Sequence, residues 1–265
     1  MADLKFGHYT RPPEGGRYGG VIPSSSCSHS CRDGAGYQLR AVFQPEVSMS
    51  DSFAVSDRTR VVREANRAVY DREAIYQILD EGFVCHVGFS AEGQPFVIPT
   101  MFARVGDAIY FHGSAASRML RGAAGGSLVC ITVTLTDGLV LARSVFNHSM
   151  NYRSVVALGT ATPIDDPAEK LAALRAFTEK LLPGRWEDAR QPNEQELKAT
   201  SILKLPLTEV SAKVRTGGVE DDAPDYALSV WAGIIPLRLV ADAAIRDDRC
   251  DASLPTPAYA ANFRG

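Results

Sequence analysis

The chain has 265 residues, 45% hydrophobic and 22% charged, with a net charge of −3. That is the composition of a globular protein with one medium domain plus extensions, or two small domains. The negative charge argues against a nucleic-acid partner, no apolar run reaches the roughly 18–20 residues of a membrane helix, and MADLKFGHYTRPPEGG lacks a secretory apolar core, so a soluble cytoplasmic protein is expected.

Residues 1–55 carry Gly15-Gly16, Gly19-Gly20, Ser24-Ser25-Ser26 and Gly34-Ala35-Gly36 with no sustained period of either kind. The stretch reads as a disordered extension, and Met49 is a plausible alternative start. Cys27-Ser28-His29-Ser30-Cys31 offers only three soft ligands and no second cluster, so no metal site is assigned. Five cysteines without repeated spacing imply no disulfide framework.

The main domain is read over residues 56–241, and a tail over 242–265 is expected on the surface or across a partner subunit. Asp71 is placed to cap a helix whose apolar face is Ile75, Ile78 and Leu79, and Gly82 to end it in the left-handed conformation. Its expected job is to cover one end of a barrel. Phe83–Phe89, Phe96–Ala103, Ala108–Gly113 and Leu128–Leu135 are short β-rich runs, most of them joined by Gly-containing turns, the pattern of antiparallel hairpins. Thr136-Asp137-Gly138 reads as a turn before a further strand, Leu139–Arg143. Phe146–Ser154 is a polar lead into a strand over Val155–Thr162.

Asp166-Pro167-Ala168-Glu169 marks a second helix start, with Leu171, Leu174, Phe177 and Leu181 as its stripe and Pro183-Gly184 as its stop. Asn193-Glu194-Gln195-Glu196 opens a shorter helix, and Ile202–Leu207 and Val210–Thr216 are strands. Lys213 and Arg215 share one face of the last strand, either as a solvated edge or as part of a site. Glu220–Asp225 reads as a solvated acidic loop.

Ser114-Ala115-Ala116-Ser117-Arg118 follows a strand and opens a short helix. Hydroxyls, backbone N–H groups and a guanidinium at such a place suit an anion; the alternative is a simple cap with a solvated arginine. This segment resembles the flavin-phosphate segment of the pyridoxamine 5′-phosphate oxidase-like, FMN-binding split β-barrel superfamily. GFVCHVGF, HGSAASRML, HSMNYRSV, AKVRTG and WAGIIPLR, in this order, are similar to the uncharacterised flavin-nucleotide-binding branch of that superfamily.

The resemblance implies a mainly β, split-barrel fold and FMN at a homodimer interface. The cofactor residues it implies are Val97, Ile98, Pro99 and Thr100; His112, Gly113, Ser114, Ser117 and Arg118; Asn151 and Arg153; Lys213 and Arg215; and Trp231 and Arg238. Two departures stand out. Met119 replaces a basic residue of the oxidases, and Val240 and Ala241 follow Arg238-Leu239 where the oxidases carry a substrate-binding His. Pyridoxamine phosphate is therefore not the expected substrate.

No G-x-G-x-x-G opens a βαβ unit, and no P-loop, G-x-S-x-G or H-E-x-x-H occurs. The leading expectation is an FMN-dependent oxidoreductase acting on a small organic molecule, a nitro- or other electron-poor compound. No catalytic side chain is singled out, because flavin carries the redox chemistry itself. The alternative is a non-catalytic haem- or flavin-binding protein on the same fold, with His86, His112 or His148 as the axial ligand.

Overall fold

The computed structural model of the chain describes residues 51–114, 119, 126 and 128–263. The extension as far as residue 50, Cys27-His29-Cys31, Ser117 and Arg118 lie outside the described residues.

Asp71 caps α1 (Arg72–Glu81) by accepting from the Ala74 N–H at 2.8 Å, and Ile75, Ile78 and Leu79 are buried. Gly82 does not end the helix in the left-handed region; its φ of −74° and ψ of 133° are extended. The glycine is there for space. A Cβ at Gly82 would lie 2.6 Å from Val133 Cγ1.

The strands are β1 (Ala68–Val69), β2 (Val84–Ala91), β3 (Gln94–Val105), β4 (Ala108–Ser114), β5 (Leu128–Leu141), β6 (Ser149–Thr160), β7 (Thr162–Pro163), β8 (Thr200–Pro206), β9 (Glu209–Arg215) and β10 (Gly233–Pro236). Every pairing is antiparallel, in the order β1-β9-β6-β5-β2-β3-β4-β8-β7, with β10 added to β5. The β2–β3 hairpin turns through Glu92 and Gly93, with φ of 53° and 77°, the conformation of a two-residue turn that follows strand twist.

β3 joins the two halves of the sheet. Its first part pairs with β2, and Phe102–Val105 pairs with β4. The sheet is open at β1 and β7, as a split barrel is, and folds on itself. At the fold, Gly159 of β6 meets the Leu205 side chain of β8, where a Cβ would sit at 3.0 Å. Cys85, Val87, Phe102, Phe111, Ile131, Val133, Leu203 and Leu205 fill the interior.

Three expectations change. Leu128–Leu141 is one strand, with a register shift between Thr136 and Gly138. A bulge absorbs Asp137, and β10 pairs with the strand beyond it, so no turn forms. β6 begins at Ser149, so the polar lead-in is strand from there on, after a 3-10 turn over Val145–Asn147. β9 is not an edge, since β1 covers its outer side.

Helix α2 (Pro167–Leu181) is capped by Asp166, which accepts from the Glu169 N–H at 3.1 Å. It packs on β3 through Ala173 and Phe177, while Leu171 and Leu181 of the expected stripe stay 39% and 42% exposed. The small Ala173 allows close approach, so the buried face is narrower than the stripe. Short helices α3 (Arg185–Asp188) and α4 (Glu194–Ala199) follow, α4 with the full Asn193/Glu196 capping box.

The ordered domain takes in residues from Asp51, inside the stretch assigned to the extension. Ser52 bridges Asp71 and Phe53 is 4% exposed. In the tail, α5 (Ala258–Ala261) carries Tyr259, whose hydroxyl accepts from Arg185 at 2.9 Å and donates to Asp188. The Phe263 ring stands 6.4 Å from Phe83.

Candidate functional site

The end of α1, the bulge of β5 and the segment after β10 surround a cleft of about 770 Å³. One wall is Glu81, Gly82, Phe83 and Val84; His86 of β2 and Thr134–Asp137 of β5 form another; Pro236, Leu237, Arg238 and Leu239 close it, and Arg153 of β6 reaches in. β10 puts Arg238 there. Pro236 pairs with Gly138, and the Leu237 N–H donates to the Asp137 carbonyl at 3.0 Å. A Cβ at Gly138 would lie 3.1 Å from the Ile235 carbonyl oxygen, so the bulge needs this glycine to let β10 approach.

The resemblance puts Arg153 among the flavin residues. Its fork is already engaged. Nε and Nη2 donate to Asp137 at 2.9 and 2.8 Å, and Nη1 and Nη2 donate to Glu81 at 2.5 and 2.8 Å. Glu81, then Asp137, hold the guanidinium above its ordinary pKa, and Arg153 draws Glu81 below the usual carboxylate range. The group therefore carries one negative charge in excess. Arg238 has no hydrogen-bond or ion-pair partner among the described residues, so it is the cation this cleft offers a ligand.

Arg153→Met is expected to leave Glu81 and Asp137 unpaired on the wall and to weaken binding of any anionic ligand. It should also flatten acid unfolding. Glu81 has a depressed folded pKa, so its stabilisation is present above the unfolded value and is lost as pH falls through the folded one. Urea midpoints compared between about pH 6 and pH 3 should fall less steeply in the variant than in the wild type.

Asn151 and Arg215 form a separate network. Asn151 Oδ1 accepts from Arg215 Nη1 at 2.6 Å and from the Gly217 N–H at 3.1 Å, while Nδ2 donates to the Gly217 carbonyl at 3.1 Å. Arg215, 7% exposed, also donates to the Gly218 carbonyl at 3.1 Å. These bonds fix the turn after β9. Lys213 donates to the Arg63 carbonyl at 2.8 Å.

On β3, Val97 and Pro99 lie on the outer face opposite Gly88 and His86, while Ile98 packs towards the core and Thr100 pairs with Cys85. His112, Gly113 and Ser114 pair with β8. The His112 ring centroid is 4.5 Å from that of Phe177, its Nδ1 is enclosed without a partner among the described residues, and burial pushes its pKa down. Trp231 is 68% exposed and lies over Gly233, where a Cβ would come within 2.9 Å of the indole. The cleft thus gathers Arg153 and Arg238 of the expected residues, and His86 of the axial candidates. His112 packs instead beside α2.

Sequence reasoning missed Glu81 and Asp137 as partners of Arg153, and it missed Asp221. No solvent reaches the Asp221 side chain. It accepts from the backbone N–H groups of Arg143 at 3.0 Å and Ser144 at 3.3 Å, and from Arg143 Nη1 at 3.1 Å. Burial raises its pKa, but the hydrogen bonds from Arg143 and Ser144 outweigh this and hold it low. Most of the acidic loop is exposed as expected, but Asp221 is a latch that fastens the chain leading to β10.

The family model described as pyridoxamine 5′-phosphate oxidase matches residues 71–214. The chain belongs to the pyridoxamine 5′-phosphate oxidase family. Its structure is similar to that of the flavocytochrome Anf3 from Azotobacter vinelandii, with 44% identity over 79% of this chain and 97% of that one and a TM-score of 0.75. It is also similar to the FAD and haem binding protein from Mycobacterium smegmatis, with 34% identity over 73% and 95% of the two chains and a TM-score of 0.70. A search of curated proteins finds no match. The family match ends before β10, so the cleft wall that carries Arg238 comes from outside the matched residues.

Proposed function

We propose that this protein is a flavin-dependent oxidoreductase that also holds a haem. The observation that carries the reading is a cleft in which Glu81, Asp137 and Arg153 satisfy one another while Arg238 stays unpaired. Such a cleft suits a ligand with an apolar body and an anionic end. Phe83, Val84, Leu135 and Leu239 provide the apolar surface, and Arg238 meets the charge. The two similar structures, a flavocytochrome and an FAD and haem binder, supply the cofactor classes.

Flavin mononucleotide is the form the family resemblance implies. Arg118 would take its phosphate together with the Ser114 and Ser117 hydroxyls. When bound, flavin supplies hydride and single-electron transfer, and haem supplies single-electron transfer. The chain's own part is to bind, orient and exclude water. The bonds of Arg153 keep Glu81 and Asp137 from confronting an anion, and the latch at Asp221 keeps Arg238 in place. The substrate is a small, electron-poor organic molecule in the cytoplasm. Two copies are proposed to join through the outer sheet face, where Val84 and Val97 are 49% and 68% exposed.

The test is the absorption spectrum of the purified protein, with chromatography of the released flavin and the mass in solution. Flavin bands in the blue and near ultraviolet plus a Soret band, in a dimer, are the expected result. Released FAD in place of FMN would correct the flavin and leave the rest standing. A protein that takes up neither flavin nor haemin on reconstitution would end the proposal.

A further inference from the structure

Among the described residues, no group of three or more His, Cys, Asp or Glu side chains gathers as a metal site. Porphyrin iron brings four ligands of its own and takes one or two axial side chains from the protein. Three histidines are described, and they differ in what fixes them. The His112 ring is wedged against Phe177 with Nδ1 enclosed. His86 is exposed on the outer sheet face with no hydrogen bond to either ring nitrogen from the described residues.

His148 is held. Its Nδ1 stands 2.8 Å from the Ser144 carbonyl oxygen. A carbonyl only accepts, so Nδ1 carries the proton and Nε2 keeps its lone pair. That is the arrangement a metal-binding imidazole takes, with its second nitrogen donating to a carbonyl. Ser144 is itself fixed, because its N–H donates to the latched Asp221 at 3.3 Å and its hydroxyl accepts from the Phe146 N–H at 3.2 Å.

The same corner shows apolar side chains to solvent. Val145 is 87% exposed, Phe146 92% and Met150 42%. β10 ends its pairing beside it, with Gly233 opposite Leu141, which brings Trp231 to the same end of β5. A pinned corner that exposes two large apolar side chains beside an oriented imidazole suits the face of a porphyrin.

We propose that His148 is the protein ligand of the haem iron, through Nε2. The inference rests on the haem part of the function proposed above. The test compares wild type with His148→Ala, His86→Ala and His112→Ala, all purified with haemin and flavin present. The readouts are haem per chain, Soret position, electron paramagnetic resonance of the ferric form and flavin per chain.

His148→Ala is expected to lose haem or shift the Soret band, to regain the wild-type position when imidazole is added, and to keep its flavin. The other two variants should keep the wild-type haem content and Soret position; His86 lines the cleft, so the flavin content of His86→Ala is not a control. A wild-type protein without haem would end the functional reading, and this proposal with it. A haem-loaded wild type whose His148→Ala spectrum is unchanged would overturn the proposal alone, and loss in His86→Ala or His112→Ala would then name the ligand. Should His148→Ala fail to fold, His148→Met keeps a donor atom at the site. A changed ferric spectrum in that variant supports the assignment, and an unchanged one overturns it.

Discussion

Gly82→Ala is expected to destabilise the domain by about 1–3 kcal/mol, the usual range for forcing an extra methyl into a packed interior. The backbone is no obstacle, since Gly82 has the φ and ψ of any extended residue. On unfolded-chain entropy alone, alanine would stabilise by about 0.4–1 kcal/mol. The obstacle is Val133, whose Cγ1 would meet the new methyl at 2.6 Å and which is itself 1% exposed inside the barrel. Val133→Ala alone should cost about 2 kcal/mol through the cavity it leaves. The double variant should cost clearly less than the two single changes together, because the alanine methyl enters the space the valine vacates. Urea unfolding of the four proteins measures this. A neutral Gly82→Ala would mean that Val133 turns aside and that the glycine has another purpose. Since Gly82 and Phe83 both line the cleft, flavin affinity should fall in the single variant and recover in the double.

Arg118→Ala is expected to weaken FMN binding roughly ten- to a hundredfold, or about 1.5–3 kcal/mol, the range for a hydrogen bond to a charged group. FMN carries a phosphate near charge −2, and a guanidinium grips it through two parallel bonds. The position after it, basic in the oxidases, is Met119 here, and Met119 is buried in the barrel core at 4% exposure. No second cation is therefore available at that step of the chain. Arg118→Lys should recover only part of the loss, because an ammonium lacks the fork. Riboflavin, without the phosphate, should bind wild type and both variants alike. Flavin-fluorescence titrations decide the matter. Equal losses for both ligands would make Arg118 a support of the fold, and no loss for FMN would move the phosphate towards Arg238.

The hairpins were legible because β2, β3, β4 and the first half of β5 alternate or end in glycine turns, signals carried by neighbouring residues. The helix starts at Asp71, Asp166 and Asn193 were legible for the same reason. The continuity of β5 was not. Thr136-Asp137-Gly138 is good turn chemistry, and only β10, some 95 residues further on, makes it a bulge. Long-range pairing also hid the site. Nothing near Arg153 in the sequence announces Glu81, 72 residues away, as its partner. Asp221 reads as one more solvated acid until Arg143 and Ser144 enclose it. The family motifs pointed to Arg238 and Arg153 together, but not to which of them is already spent.

The two halves of β5 answer to different neighbours. Residues 130–132 are held by β2 and β6, whereas Gly138–Val140 lie between β6 and β10. The segment from Asp221 to Arg238 is therefore expected to come away, with the latch broken and four pairings lost, while the barrel stays folded. It forms a separate opening unit, whose amides should exchange with solvent sooner than those of β2 and at a rate that reports on that segment alone. A ligand gripped by Arg238 would slow that exchange without touching the barrel's own, so occupancy of the cleft is readable in the protection of Gly233, Ile234, Ile235 and Leu237.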